Sequence, residues 1–202
     1  MIAALFVATD GCYFGLDGIE PWDVKRDARQ YSGPHPVIAH PPCDRWCQMV
    51  PVNQARYGHK VGDDGGCFAA ALEAVRNWGG VLEHPAVSLA WPAFDLPRPP
   101  SSGGWVRGLC GGWAAHVEQR NYGHRARKAT WLYAYGVELP SLVWGKGPAP
   151  EAWISADRPR AVLAAAGIDQ LSKREAKATP QPFRDLLISI ARSALSSQEQ
   201  GK

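Results

Sequence analysis

Short continuous apolar runs alternate along this chain with turn-rich stretches, and an amphipathic helical stripe occurs twice. Ile2 to Ala8 is apolar throughout and rich in branched residues, the pattern of a strand buried on both faces. Asp10 to Gly18 is turn-rich. Pro21 to Tyr31 fits a short helix or an irregular loop carrying Asp23, Lys25, Arg26, Asp27 and Arg29. A second apolar run, Pro36 to Ala39, ends at His40-Pro41-Pro42, because consecutive prolines cannot donate to a strand ladder. Between Gly65 and Trp78, Phe68, Leu72 and Val75 fall at i, i+4 and i+7 and predict a helix that stops at Gly79-Gly80. Val81-Leu82-Glu83-His84 then predicts a third strand, closed by Pro85. Strand, helix and strand in that order predict a parallel sheet with a crossover helix.

In the second half, Pro97 to Gly112 is rich in Pro, Ser and Gly and predicts a loop suited to a mobile lid. Trp113 to Tyr122 and Ala129 to Tyr135 predict two strands joined by the basic turn Gly123 to Lys128. Gly147 to Pro159 is loop-like, and Arg160 to Ala166 is a short Ala-rich helix stopped by Gly167. Thr179 is placed to cap a helix with Pro180 at its first position. Phe183, Leu186, Leu187, Ile190, Ala191 and Ala194 form its apolar stripe. The pattern predicts one α/β domain over residues 1–195 and a polar, frayed tail over 196–202, with no internal repeat.

Composition narrows the class. Hydrophobic residues make up 46% and charged residues 20%, an ordinary globular balance. No apolar run approaches the roughly 20 residues of a membrane span. The apolar start lacks the basic flank and small-residue cleavage site of a signal peptide. The five cysteines are an odd set in a chain too long to need a disulfide framework, which points to a reducing cytoplasm. The net charge of +3 permits a nucleic-acid partner without demanding one. Nine tryptophans and 17 prolines co-occur in Glu20-Pro21-Trp22, Ala90-Trp91-Pro92 and Pro140 to Trp144, segments that read as rigid, partly buried loops.

The sharpest candidate chemistry is Val37-Ile38-Ala39-His40-Pro41-Pro42-Cys43. An apolar strand delivers a stiff turn, and a thiol follows at once. Ligands of parallel α/β sheets bind beyond the carboxyl ends of strands. A thiol held there, near Arg45 or a protonated His40, is a candidate nucleophile; a buried structural cysteine beside a proline turn has the same spacing. Val81-Leu82-Glu83-His84-Pro85 brings a carboxylate to the end of the neighbouring predicted strand. Glu83 there suits a substrate hydrogen bond or proton donation, or simply caps a loop amide.

Pro41-Pro42-Cys43 after a strand resembles the Pro-Cys nucleophile motif of C5-cytosine DNA methyltransferases. Glu83-His84-Pro85 is similar to their Glu-Asn strand end, with His84 where Asn is expected. The segment Val117 to Thr130 and the closing helix from Thr179-Pro180 to Ala194 resemble later parts of small phage-encoded methyltransferase-like proteins. The resemblance runs loosely from Val37 to Ala194. It implies a Rossmann-like, mostly parallel sheet with flanking helices and a reduced N-terminal half. It further implies a phage- or prophage-type DNA-modification enzyme acting on a pyrimidine base or nucleotide. In that family the cysteine adds to C6 of the ring while the glutamate hydrogen-bonds N3. Carried over, Cys43 is the nucleophile, Glu83 the pyrimidine contact, and Gln119 and Arg120 candidate substrate contacts. His40, Arg45, His124 and Lys128 complete the candidate substrate-binding set, with Tyr122 or His124 able to stack on a base.

The family's cofactor is S-adenosylmethionine, and Asp10, in the turn after the first strand, is the candidate contact. That turn, Ala8-Thr9-Asp10-Gly11-Cys12-Tyr13-Phe14-Gly15, lacks the family's glycine pattern. Only about 30 residues separate the first strand from His40, too few for a full cofactor-binding half. Weak or absent S-adenosylmethionine binding is therefore the expectation. Two other classes compete. His40-x2-Cys43-x3-Cys47, with His59 and Cys67 downstream, offers zinc ligands, though without tight Cys-x2-Cys pairs. A non-catalytic module that binds nucleic acid or a host protein through Trp and Arg surfaces is the other.

Overall fold

The structure, a computed structural model, describes residues 1–154, 167 and 169–199. Seven strands form one sheet: β1 (Ile2–Leu5), β2 (Ile19–Trp22), β3 (Val37–Ala39), β4 (Gly80–Pro85), β5 (Trp105–Arg107), β6 (Trp113–Glu118) and β7 (Ala129–Tyr135). Their spatial order is β2-β1-β3-β4-β7-β6-β5. The first four are mutually parallel. β7 runs antiparallel to β4, and β6 and β5 continue antiparallel. The chain is thus α/β as expected, but the sheet is mixed rather than mostly parallel. The reason lies in the connections. β3 and β4 are bridged by enough chain for a crossover helix, whereas the short Gln119–Lys128 segment between β6 and β7 allows only a hairpin-like return.

Helices cover both faces. α1 (Met49–Tyr57) and α2 (Cys67–Trp78) lie between β3 and β4 in the chain, and α3 (Ala90–Ala93) follows β4. α2 buries Phe68, Leu72 and Val75 with Val37, Ala39, Leu82, Trp91 and Tyr133 on one sheet face. The closing helix Gln181–Glu199 buries Phe183, Leu187, Ile190 and Ala191 with Ile2, Ile38, Val81 and Leu132 on the other. Each large apolar side chain so buried stabilises the fold by about 1.5–3 kcal/mol relative to exposure. Successive strand residues alternate between the two cores, Val81 to one and Leu82 to the other, as the strand period requires. Gly80 sets the β3–β4 register at close range: its φ is 134°, and a Cβ there would run into the Val37 carbonyl.

Several elements differ from the sequence reading. β1 stops at Leu5 because Phe6 adopts a left-handed φ of 58°. Ile19–Trp22 is a strand despite Pro21, which an edge strand tolerates. Only Ala28–Gln30 of the Pro21–Tyr31 stretch is helical, as one 3-10 turn. The Pro97–Gly112 loop contains β5, pinned by a hydrogen bond from the Trp105 indole to the Pro140 carbonyl, so that part of it is sheet and not lid. β6 ends at Glu118 and turns into a 3-10 helix, Gln119–Tyr122. Within the Gly147–Pro159 stretch, β8 (Ala152–Trp153) pairs with β9 (Asp169–Gln170) in a separate two-stranded sheet. A short helix, α4 (Lys173–Lys177), follows, opened by a Ser172–Glu175 capping box. The closing helix, α5, starts at Gln181 and continues to Glu199, past the predicted tail boundary. The predicted helix Arg160–Ala166 lies outside the described residues. Among those described, no helix is long and apolar enough to cross a membrane.

Candidate functional site

β3 and β4 are adjacent and parallel, so His40, just beyond β3, and Glu83, near the end of β4, meet on one face. His40 Nδ1 lies 3.0 Å from Glu83 Oε2. Gln119 Nε2 donates to Glu83 Oε1 at 3.0 Å and to Thr130 Oγ1 at 2.9 Å. The Thr130 hydroxyl in turn donates to the Lys128 carbonyl at 3.1 Å. On the far side of the imidazole, His40 Nε2 meets the Tyr13 hydroxyl at 2.9 Å. A buried chain of polar groups thus runs from the turn after β1, through β3 and β4, to β7. Burial, the largest single influence on Glu83, would raise its pKa. The His40 hydrogen bond, the Lys128 charge and the two neighbouring imidazoles together outweigh it and leave the value at about 2. Glu83 is therefore ionised at neutral pH. An ionised carboxylate only accepts, so His40 Nδ1 carries the proton between them. Both Glu83 oxygens already accept a hydrogen bond within the fold.

Cys43 looks into a different space. A cavity of about 200 Å³ opens between the segment after β3 and the segment after β4, lined by Cys43, Trp46, Cys47, Gln48, His84 and Pro85 to Ser88. Leu89 N bonds the Trp46 carbonyl at 2.9 Å and Gln48 Nε2 bonds the Val87 carbonyl at 3.0 Å, which ties the two walls together. Val87 sits at a φ of 57°, a costly conformation for a β-branched residue. Burial raises the Cys43 pKa, Asp44 and Glu83 add to the effect and Lys177 opposes it, so the resting group is a thiol. His84 is 1% exposed. It packs edge-on against Phe68, with ring centroids 5.2 Å apart, and stacks near Trp91. Burial holds its pKa at about 4, so the ring is neutral at pH 7. The Pro42 carbonyl lies beside it, yet neither ring nitrogen has a partner of hydrogen-bonding geometry.

The basic turn is committed to the protein's own structure. Arg120 donates to the Ala149 and His124 carbonyls and pairs with Glu151 at 2.7 Å. Arg125 pairs with Asp169 at 2.8 Å and lies within 4.0 Å of Glu151 and 3.8 Å of Glu175. Lys128 Nζ donates to the Lys177 and Ala178 carbonyls. These bonds dock the β8–β9 sheet and α4 on the main sheet. His124 is buried, with Nδ1 folded onto its own turn at the Ala126 backbone, and Tyr122 packs on Phe183 while accepting from Val143 N. The buried His124 ring offers no face for a base, and Tyr122 is partly buried.

Of the residues nominated by sequence, the structure brings His40, Glu83 and Gln119 together and sets Cys43 in the neighbouring cavity. Arg120, His124 and Lys128 form the docking hub. Arg45 is half-buried, and its carbonyl accepts from Gly62 N. Asp10 is exposed in the turn after β1, with a φ of 56°. The residues around it do not fit an S-adenosylmethionine site. The chain runs from β1 to β2 through turns without a helix, and Tyr13, 2% exposed, fills the space behind them. The zinc set is dispersed as well: among the described residues no three His, Cys, Asp or Glu side chains converge on a point. His40 spends both ring nitrogens on Tyr13 and Glu83. Sequence reasoning missed Tyr13, Thr130 and the His84 cavity. His84 was visible in Glu83-His84-Pro85, but only the structure shows it unpaired.

Fold and site define an α/β protein with a mixed seven-stranded sheet and a cysteine-lined cavity beyond two parallel strand ends. Compared with protein-family models, curated proteins and solved structures, the chain matches none.

Proposed function

We propose that the protein is a Rossmann-like, methyltransferase-type enzyme that modifies a pyrimidine base or nucleotide in DNA, with Cys43 as the nucleophile. The observation that carries this reading is the position of Cys43. It follows a rigid Pro41-Pro42 turn at the carboxyl end of β3, lines a cavity of about 200 Å³, and stands one strand from an ionised carboxylate. Open α/β sheets place ligands at such strand ends. The cavity has an aromatic wall in Trp46, apolar walls in Pro85 and Ala86 and few polar groups, the make-up of a small-molecule site. The resting thiol adds across a double bond of the ring: the S–H bond and one ring π bond break as sulfur bonds one ring carbon and the proton passes to the ring itself. The Tyr13–His40–Glu83–Gln119 chain fixes the strand ends that frame the cavity. Mass spectrometry of nucleosides from DNA of cells expressing the protein tests the reading. A modified pyrimidine that disappears in Cys43→Ala supports it; nucleosides identical to those of cells without the protein would sink it.

A further inference from the structure

We propose that Cys43 and Cys47 form a redox site, in which a small disulfide of the glutathione type joins the two sulfurs in a reversible disulfide bond at the cavity. The inference holds whether or not the cavity takes a pyrimidine. All five cysteines are free thiols, and Cys43 and Cys47 line one cavity of about 200 Å³. The local backbone keeps them close. Trp46 N donates to the Cys43 carbonyl at 2.9 Å, so residues 43–46 form a tight turn whose end Cα atoms lie within about 7 Å of each other. Cys47 follows at once, and its side chain folds back over the turn, with Sγ 4.0 Å from the Asp44 carbonyl oxygen. A disulfide needs Cα atoms roughly 4.4–6.8 Å apart, a range that such a turn approaches. The contact from Cys47 Sγ is a weak one on an exposed side chain, so turning the thiol towards Cys43 sacrifices little.

Exposure sets the order of events. Exposed Cys47 meets the oxidant first, and half-buried Cys43 second. The Cys47 thiolate attacks one sulfur of glutathione disulfide, the S–S bond of the oxidant breaks, and one glutathione leaves as a thiolate. Cys43 then attacks the Cys47 sulfur, the Cys43–Cys47 bond forms, and the second glutathione leaves. The two cysteine protons pass to the two departing thiolates, and two electrons pass from the cysteines to the oxidant. The second step is intramolecular, and short links of this kind give effective concentrations of order millimolar or more. A thiophilic metal is the other use of two sulfurs. It would leave two thiolates in a cavity with Asp44 beside Cys43, where the opposing Lys177 already pairs with Asp44 at 3.1 Å. A disulfide carries no charge, which suits a half-buried, mostly apolar wall. Once formed, the bond takes the free thiol out of the cavity, so Cys43 reacts with a ligand only under reducing conditions.

The test equilibrates the full chain with mixtures of glutathione and glutathione disulfide, traps remaining thiols with N-ethylmaleimide, and reads tryptic peptides by mass spectrometry without reductant. Trypsin cuts after Arg45, between the two cysteines, so the halves stay together only where a disulfide joins them. The folded parent should yield a linked pair containing Cys43 and Cys47 that grows with the share of glutathione disulfide and disappears on adding dithiothreitol. Cys43→Ser should leave Cys47 as a mixed disulfide with glutathione. Cys47→Ser should slow oxidation of Cys43 about tenfold or more, since the intramolecular route is gone. The parent alone decides the matter if a variant fails to fold. Glutathione on either cysteine with no linked pair, both thiols unreacted at the most oxidising ratio, or Cys43 joined to Cys12, Cys67 or Cys110 would each overturn the proposal. None of these outcomes bears on whether the protein modifies a pyrimidine, which the nucleoside analysis reads separately.

Discussion

Glu83 and His84 are consecutive residues of one strand, and they live in opposite chemical conditions. Glu83 faces a chain of hydrogen bonds that reaches from Tyr13 to the Lys128 carbonyl, and each of its own oxygens accepts one. His84 faces the α2 side, where aromatic rings and the Pro42 carbonyl surround it and both its nitrogens are sealed from solvent, behind the wall of a cavity that Cys43 lines. A buried hydrogen-bond network rigidifies a fold, and this one is complete except at Gln119 Oε1, which has no partner. On this account the Glu83 face holds the strand ends in place, and the cavity that Cys43 lines lies on the other side.

The comparison breaks most visibly on the Glu83 side. His40→Ala leaves the buried carboxylate with Gln119 as its one donor and removes the partner of the Tyr13 hydroxyl, so unfolding in urea should show a loss of about 3 kcal/mol. A loss under about 1 kcal/mol would mean that water replaces the imidazole and the network is not structural.

Acid separates the two residues in turn. His84 has a folded pKa of about 4 against 6.5 as an unperturbed group, so the unfolded chain binds the extra proton first. Its contribution is complete above about pH 6.5 and is lost as pH falls towards 4. Glu83, at about 2 against 4.5, contributes fully above about pH 4.5 and loses that contribution as pH falls towards 2. Each step is of order 3 kcal/mol at about 1.4 kcal/mol per pH unit. Urea unfolding at pH 7, 5.5 and 4.5 should therefore show declining stability, and in His84→Asn the decline should be shallower, the remainder coming from His116 and His124, whose pKa values burial also lowers. An unchanged slope in His84→Asn would place the acid sensitivity elsewhere.

Smaller effects are expected from the thiol and the hub. Cys43→Ala removes one half-buried sulfur at a cavity wall that needs no filling, and should change stability by less than about 1 kcal/mol. Arg125→Ala cuts exposed ion pairs to Asp169, Glu151 and Glu175 and should cost about 1 kcal/mol or less in melting experiments. Because these carboxylates already balance the guanidinium, Arg125→Ala with Arg127→Ala should leave the salt dependence of any DNA binding nearly unchanged. A clear flattening would restore the turn as a phosphate contact.

Much of this was legible in the chain. The α2 stripe Phe68, Leu72, Val75 and the α5 stripe Phe183, Leu187, Ile190 report period-3.6 burial directly, and Val37 to Ala39 and Val81 to His84 are the strands their apolar runs predict. The direction of β7 was not legible, because a strand's own residues do not encode which way its neighbour runs. β2 was hidden by Pro21, a residue that forbids a central strand but not an edge. At the site, the sequence named His40, Cys43, Glu83 and Gln119. It could not tell that strand alternation sends Glu83 to one face and His84 to the other with Cys43. Nor could it show that Arg120, Arg125 and Lys128 spend their bonds on docking β8, β9 and α4, whose acidic residues are distant in sequence.

The most direct measurement is the yield of modified pyrimidine nucleosides in DNA from cells expressing the parent protein or Cys43→Ala, each normalised to folded protein. The account predicts a modified pyrimidine with the parent and none with Cys43→Ala at matched stability. The same modified nucleoside at the same yield from both would contradict it.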